Sequence, residues 1–257
     1  MINATYCISD NVGDQLTKWL IHKITGKQVV YVEQGTTLRK VMCAGSILNW
    51  ADYETIVWGA GVANMDDKVT HRCDIRAVRG PVTAKIAKMC GANVPEVYGD
   101  PGLLVPRFYP KEHTHEFSIG IIPHYVNQAE IFSLRPILPK GIHLINVLCG
   151  VEEFVGQLVR CDSILSSSLH GFVLAVAYGI PCAWFEATRP LGGDGTKFID
   201  FFQSLGVKKI PKPLKWHDQV GQSLVELAAR CTQYELKPEM LDKLYEACPF
   251  KGGELDV

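Results

Sequence analysis

Short apolar runs alternate with helix-length amphipathic segments along almost the whole chain, and this alternation limits the possible folds more than any other feature. The runs TIVW (55–58) and FSIGII (117–122) are mostly hydrophobic and do not alternate regularly with polar residues. Strands of this kind are covered on both faces, as they are in parallel sheets flanked by helices. The pattern therefore predicts an α/β fold built on parallel sheets.

The stretch from Tyr98 to Phe117 interrupts the alternation, because it is rich in proline, glycine and charged residues. Such a composition is typical of a linker. We therefore predict two Rossmann-like domains that face a cleft, an N-terminal domain over residues 1–110 and a C-terminal domain over residues 116–257. The segment from His217 to Ala247 has a mostly helical pattern, and these C-terminal helices are candidates for packing back on the first domain.

Charge and cysteine usage exclude several classes of protein. The formal net charge of −1 argues against a nucleic-acid-binding protein, which neutralises phosphates with a basic surface. The nine cysteines are dispersed without a Cys-x-x-Cys pair. This spacing predicts reduced thiols and argues against a disulfide framework or a zinc site.

The sequence favours a cytoplasmic location. The first residues lack the pattern of a signal peptide, and the longest apolar run, Phe172 to Phe185, is short for a membrane span. The basic segment Lys208–Trp216 leaves open a peripheral contact with the inner face of the plasma membrane.

In a parallel sheet, ligands bind where the strands end and the next helices begin. In the predicted first half, the corner SDNVGDQL supplies Asn11 and Asp14, and the corner CAGSILNW supplies Gly45 and Ser46. Glycine allows the backbone to approach a ligand closely, whereas Asn11 could equally well be a plain helix cap. These residues are candidates for one wall of a crevice.

Arg79 stands between an apolar strand and a helix that begins at Pro81. Its guanidinium is therefore expected to reach the edge of the crevice, where it could hold a carboxylate or a phosphate in a bidentate fork. The alternative is an ion pair between secondary-structure elements. Asp100, which precedes Pro101, is consistent with a plain turn.

The predicted second half presents an anion site at the corner SSSLHGF. The hydroxyls of Ser167 and Ser168 and the free N–H groups of the following helix turn form a cradle for an anion. His170 lies in that turn and His124 follows the preceding strand, so both imidazoles are candidates for proton transfer. Further donors and cations are expected from Leu169, Gly171, Arg189 and Lys197.

Seven motifs follow one another in a fixed order between Asn11 and Glu186: NVGDQL, GSIL, WGAG, RGPVT, YGDPGLL, IPHY and SSLHGFVLAVAYGIPCAW. Together they resemble the polysaccharide pyruvyl transferase family. The resemblance implies two Rossmann-like domains in the GT-B-like arrangement. It implies transfer of pyruvate from phosphoenolpyruvate to a sugar of a bacterial polysaccharide repeat unit as a cyclic ketal, with release of phosphate. The acceptor is often lipid-linked in such enzymes, and neither a cofactor nor a metal is implied.

The resemblance also implies roles for the residues above. An arginine of the family corresponds to Ser168, so the serine here leaves Arg79 or Arg189 to grip the donor. The implied catalytic residues are His170, Arg79 and His124; the donor-binding residues are Ser167, Ser168, Leu169, Gly171, Arg189 and Lys197; and the acceptor-binding residues are Asn11, Asp14, Gly45 and Ser46.

Two other functions stay open at this point. A GT-B glycosyltransferase would use the same cleft for the diphosphate of a nucleotide sugar, and it would need a carboxylate such as Glu186 to hold the ribose. A non-catalytic sugar-binding subunit of a polysaccharide assembly complex would keep its function after loss of His170. The sequence does not fix the oligomeric state and leaves a homo-oligomer open.

Overall fold

Two sheets of five parallel strands form the framework of the protein. The structure is a computed structural model, and it describes residues 1–70, 72–187, 194–215, 223–252 and 255. The first sheet has the order β2-β1-β3-β4-β5, and all neighbouring strands run parallel. The prediction of an α/β fold with parallel sheets is therefore confirmed. The strands are β1 (Ile2–Ala4), β2 (Val29–Tyr31), β3 (Lys40–Met42), β4 (Thr55–Trp58) and β5 (Asp74–Ala77).

The helices of the first half begin and end where the sequence signals predict. Helix α1 (Val12–Thr25) ends at Gly26, whose φ of 68° lies in the left-handed region that glycine adopts without strain. Helix α2 (Pro81–Met89) begins with a proline, whose missing N–H has no helical partner at that position. A short 3-10 helix covers Leu48–Trp50.

The stretch predicted as a linker is partly helical and buried. A 3-10 helix covers Pro101–Leu104, and helix α3 (Val105–Phe108) follows directly. Asp100 caps the 3-10 helix, because its Oδ1 accepts a hydrogen bond from the N–H of Gly102 at 2.8 Å. The linker prediction was wrong for this part, since the proline and glycine belong to a capped helix whose leucines enter the core.

The second sheet has the order β10-β9-β8-β6-β7, again with parallel neighbours. Its strands are β6 (Phe117–Ile122), β7 (Ile142–Leu144), β8 (Cys161–Ser166), β9 (Cys182–Glu186) and β10 (Leu214–Lys215). The helices are α4 (Tyr125–Ser133), α5 (Val151–Leu158), α6 (Leu169–Ala177), α7 (Thr196–Ser204), α8 (Leu224–Ala228) and α9 (Pro238–Glu246), with a 3-10 helix at Arg135–Ile137.

The predicted helical end of the chain contains α8 and α9 with a non-helical stretch between them. Pro238 begins α9, at a position where the missing N–H of proline has no helical partner. Residues 216–222 of this end lie outside the described residues.

The direction of strand addition reverses once in each sheet. β1 lies between β2 and β3 in the first sheet, and β6 lies between β7 and β8 in the second. In open parallel sheets, ligands bind at the carboxyl ends of the strands beside such a reversal. Asn11, Gly45 and Ser46 follow β1 and β3, while His124 and His170 follow β6 and β8. The predicted site residues therefore flank the two reversals.

The two halves share a core. Leu16 and Leu20 of α1 lie in one hydrophobic cluster with Phe172 of α6. The C-terminal helix contacts the first half, because Trp58 Nε1 of β4 donates a hydrogen bond to the carbonyl of Leu244 at 2.7 Å. The boundaries of the two domains stay a prediction.

The nine cysteines are free thiols, five of them buried. Burial raises the pKa of the Cys161 thiol to about 12, so this side chain is protonated at neutral pH. Such thiols pack as small apolar side chains.

Among the described residues, no helix has the length and apolar character needed to cross a bilayer. The exposed lysines of the basic segment, Lys208, Lys209 and Lys212, precede β10. Because β10 runs parallel to β9, this segment lies at the amino ends of the strands, on the edge of the sheet opposite to the crevice.

Candidate active site

His170 occupies the second position of α6, in the helix turn that the sequence predicted. Ser168 caps the helix, and its Oγ accepts a hydrogen bond from the N–H of Gly171 at 3.4 Å. Gly171 lets the helix approach β6 closely, since a Cβ there would lie 2.6 Å from Ile122. The start of α6 is therefore held tightly against the sheet, and this fixes the position of His170.

The serines before α6 are buried, and their hydroxyls are engaged with the backbone. Ser166 Oγ donates to the carbonyl of Ser168 at 2.7 Å, and the Ser168 N–H donates to Ser166 Oγ at 3.2 Å. Ser167 Oγ accepts a hydrogen bond from the N–H of His124 at 2.9 Å and so ties the end of β6 to the end of β8. The hydroxyls hold the turn together, and their part in donor binding stays a prediction.

The backbone at the start of α6 keeps hydrogen-bond donors free. Within the described residues, neither the N–H of Leu169 nor that of His170 has an acceptor. Such N–H groups form an anion site at a helix start. The side chain of Leu169 is buried in the core, so this residue can meet a ligand only through its backbone.

The charges of four basic groups act on one another around this helix start. His124 caps α4, and Lys197 lies in the first turn of α7; both are half-buried. Burial, with the charges of Lys197 and His170, lowers the pKa of His124 to about 4. Burial, with the charge of Arg79, lowers the pKa of Lys197 to about 8. Lys197 has no ion-pair partner within the described part of the chain, so a bound anion would be favoured here.

Arg79 does not reach the crevice, contrary to the expectation from the sequence. Its side chain is fully buried, and Nε donates to Asp200 Oδ2 of α7 at 3.0 Å. Nη1 donates to Ser46 Oγ at 2.7 Å, and Nη2 donates to the carbonyl of Val62 at 2.6 Å. The alternative, an ion pair between elements, is the arrangement observed. The three nitrogens of the guanidinium are thus bonded to protein groups, and its charge acts on Lys197.

Asp200 is a residue that the sequence reasoning missed. Its carboxylate also accepts hydrogen bonds from the N–H of Thr83 at 3.0 Å and from Thr83 Oγ1 at 2.6 Å. The second half thus caps α2 of the first half. Gly80 makes room for this approach, since a Cβ there would lie 2.1 Å from the carbonyl oxygen of Asp200. A single acid within the apolar run FIDFF was the signal that could have revealed it.

Two of the first-half candidates, Asn11 and Asp14, lie at the start of α1. Asn11 Nδ2 and Ser9 Oγ both donate to Asp14 Oδ2, at 3.2 and 2.5 Å. Asn11 stands at the cap position, but its side chain makes no capping hydrogen bond. Gly13 lies directly against the imidazole of His170, because a Cβ on Gly13 would be 2.0 Å from Nδ1. The start of α1 therefore covers one side of that ring.

The corner after β3 lies behind this site. Gly45 has a φ of 113°, which favours glycine, and its carbonyl accepts a hydrogen bond from Gly61 N at 2.9 Å. Ser46 is bonded to Arg79 and so helps to fix the buried guanidinium. Arg189, a predicted donor ligand, lies outside the described residues.

Asp100 is the second residue that the sequence reasoning missed. Its place before Pro101 is consistent with a plain turn, yet its carboxylate is fully buried and Oδ2 lies 3.5 Å from Nε2 of His170. The structure thus brings together an acid of the first half and a histidine of the second. The site is narrow, since the side chain of His170 is only 10% exposed.

The carboxylate required by the nucleotide-sugar alternative is engaged elsewhere. Glu186 forms an ion pair with Lys215 at the edge of the second sheet. Among the described residues, no group of three histidine, cysteine, aspartate or glutamate side chains is arranged to hold a metal ion.

Comparison with known proteins finds one matching family and two related sequences. A model of the polysaccharide pyruvyl transferase family matches residues 51–187, a range that contains His124 and His170. An uncharacterized protein of Acanthamoeba polyphaga mimivirus is 30% identical over 215 residues, which are 79% of this chain and 74% of the viral protein. The succinoglycan biosynthesis protein ExoV of Rhizobium meliloti (strain 1021) is 28% identical over 216 residues, which are 79% of this chain and 64% of ExoV. No solved structure matches the chain significantly.

Proposed function

The chain belongs to the polysaccharide pyruvyl transferase family, and from this premise we propose that it transfers pyruvate from phosphoenolpyruvate to a sugar of a polysaccharide repeat unit as a cyclic ketal. The observation that carries the proposal is the cation Lys197, which has no ion-pair partner among the described residues, beside the free N–H donors at the start of α6. Phosphoenolpyruvate bears a phosphate and a carboxylate, which such groups bind. Similarity to a succinoglycan biosynthesis protein supports a role in polysaccharide synthesis.

The proposed reaction forms two C–O bonds at one carbon and breaks another. A proton adds to the methylene carbon of phosphoenolpyruvate, and the first sugar hydroxyl attacks the neighbouring carbon. Phosphate then leaves, and the second hydroxyl attacks the resulting oxocarbenium ion. The two hydroxyls each lose one proton. The new methyl group accounts for one of these protons, and the released phosphate takes up the other. We assign the transfer of these protons to His170, whose imidazole lies in a fixed helix turn and keeps 10% exposure.

The residues proposed to bind the donor and the acceptor are assigned from their positions around His170. Lys197 and the N–H groups of Leu169 and His170 are proposed to hold the donor, with Arg189 as a further donor ligand. Asn11 and Asp14 are proposed to meet the acceptor, because they lie at the start of α1, where Gly13 contacts the ring of His170. His124, whose pKa of about 4 keeps it neutral at pH 7, would supply hydrogen bonds and no charge.

Three further elements of the proposal rest on the family resemblance. We propose that the two halves adopt the GT-B arrangement. We also propose a lipid-linked acceptor and a site of action at the cytoplasmic face of the membrane. The donor is a substrate, and we propose no separate cofactor.

A transfer assay tests the proposal. Purified protein is mixed with phosphoenolpyruvate and a panel of nitrophenyl and lipid-linked sugars, and we expect phosphate release together with a gain of one pyruvate mass on an acceptor. Nucleotide sugars supplied in place of phosphoenolpyruvate should transfer nothing. If the protein neither released phosphate nor bound phosphoenolpyruvate across the panel, the proposal would be rejected.

The charge of Lys197 makes donor binding sensitive to alkaline pH. With a pKa of about 8, Lys197 is charged below that pH and loses its proton above it. We expect the dissociation constant for phosphoenolpyruvate to rise by up to about tenfold per pH unit above pH 8, because the bound anion requires the protonated amine. Isothermal titration calorimetry across this range measures the effect.

The variant Lys197→Arg is the matched control, since a guanidinium stays charged throughout this range. Its affinity for phosphoenolpyruvate should not fall above pH 8, whereas Lys197→Gln should bind weakly at every pH. Equal pH dependence of the wild type and the arginine variant would show that another group controls binding.

A further inference from the structure

The buried carboxylate of Asp100 has one oxygen without a hydrogen bond. Its Oδ1 caps the 3-10 helix through the N–H of Gly102, but Oδ2 has no hydrogen-bond partner, although the residue is fully buried. His170 is the only basic side chain of the described residues within ion-pair distance of this carboxylate. An unpaired buried oxygen is costly, so its persistence calls for a function.

The imidazole of His170 also has a buried polar atom without a hydrogen bond. Nε2 is buried without a hydrogen-bond partner and lies 3.5 Å from Asp100 Oδ2. Nδ1 lies on the other side of the ring, against the backbone of Gly13, where no Cβ fills the space. Nδ1 makes no hydrogen bond among the described residues and, unlike Nε2, is not fully buried, so it is the ring nitrogen that a ligand can reach.

We propose that Asp100 is the positioning residue of His170: its Oδ2 holds the imidazole proton on Nε2 and leaves Nδ1 as the basic nitrogen that faces the substrate. A carboxylate beside one ring nitrogen fixes the tautomer in which that nitrogen carries the proton. The distance of 3.5 Å is long for such a bond, and contacts of this kind commonly tighten when substrate binds. The inference rests on the proposed function, in which His170 transfers protons.

The pair is divided between the two halves of the molecule. Asp100 follows the first sheet, and His170 begins α6 of the second. The aligned histidine therefore exists only while the two halves are packed together.

The tautomer of His170 can be measured without any transferase activity. Long-range ¹H–¹⁵N correlation spectra of ¹⁵N-histidine-labelled protein distinguish the two neutral tautomers, and the His170 signals are assigned by their absence in His170→Asn. We expect the wild type to carry the proton on Nε2. In Asp100→Asn, Oδ1 keeps its bond to Gly102 and the amide NH₂ faces Nε2, so the proton should move to Nδ1.

A wild-type proton on Nδ1 would overturn the inference, and so would an unchanged tautomer in a folded Asp100→Asn protein. The wild-type spectrum decides the matter even if the variant does not fold. Failure of the transfer assay leaves this measurement intact, so the inference and the proposed function fail separately.

Kinetics supply the second readout once transfer is detected. Asp100→Asn should lower kcat by about 10²- to 10⁴-fold with little change in the donor KM, as loss of a positioning carboxylate does elsewhere. Asp74→Asn is the matched control, because Asp74 is partly exposed and pairs with Arg39 away from the crevice; it should keep the wild-type rate. A kcat within threefold of the wild type in Asp100→Asn would contradict the inference.

Discussion

Replacement of His170 by alanine should lower the rate of transfer by about 10²- to 10⁴-fold, the range expected for loss of a general acid–base group. The structure holds this imidazole in a fixed turn between Gly13 and Asp100, and no other histidine of the described residues has that position. His124 is not expected to substitute, because its pKa of about 4 makes it a weak base at neutral pH. Steady-state assays of phosphate release, with the donor at saturation, measure the effect.

The matched control is His22→Ala, which removes an exposed histidine from the outer face of α1. This variant should retain the wild-type rate and melting temperature. A folded His170→Ala protein that turned over as fast as the His22→Ala protein would remove His170 from the mechanism. Retained function of His170→Ala in polysaccharide assembly would favour a non-catalytic sugar-binding role.

Replacement of Asp200 by alanine should destabilise the protein by about 3–5 kcal/mol, because it leaves the buried guanidinium of Arg79 without its counter-charge. The N–H and hydroxyl of Thr83 would lose their acceptor as well. We expect the melting temperature to fall by roughly 10 °C. Chemical denaturation of the two proteins gives the free-energy difference directly.

Two comparisons make this expectation specific. Asp242→Ala, which removes the exposed partner of Arg107, should change stability by less than about 1 kcal/mol. The double variant Arg79→Met with Asp200→Asn should be more stable than the sum of its single changes predicts, since it leaves no unpaired charge. If the losses of stability in the two single variants simply added up in the double variant, the two charges of the buried ion pair would not be energetically coupled.

The ion pair between Arg79 and Asp200 also changes the effect expected of the Arg79→Ala substitution. The sequence alone predicts that this variant mainly raises the donor Michaelis constant, because it makes Arg79 a candidate to grip the donor. The structure places the guanidinium against protein groups on all three nitrogens. Loss of stability should therefore come first, with a smaller effect on donor binding through the charge near Lys197.

The sequence predicted the elements well because their signals are local. Continuous apolar runs mark strands covered on both faces, and Pro81 and Gly26 mark where helices begin and end. The corners that hold His124 and His170 followed from the same logic, since strand ends are where parallel sheets bind ligands.

The interactions that the sequence did not predict join residues far apart in the chain. Asp100 and Asp200 owe their importance to partners in the other half of the molecule, and nothing beside them in the sequence identifies those partners. The misassigned linker has a related cause. Proline, glycine and aspartate begin capped helices as readily as they form turns, and only burial against other segments distinguishes the two.

The cap that Asp200 places on α2 ties the folding of the two halves together. A first half produced alone would contain a buried cation without its counter-charge and a helix start without its acceptor. Modules joined by a chain commonly unfold one after the other, whereas here we expect a single calorimetric transition. Replacing one half by that of a relative should then give a folded protein only if the incoming half carries the matching partner, an arginine for Asp200 or an acid for Arg79.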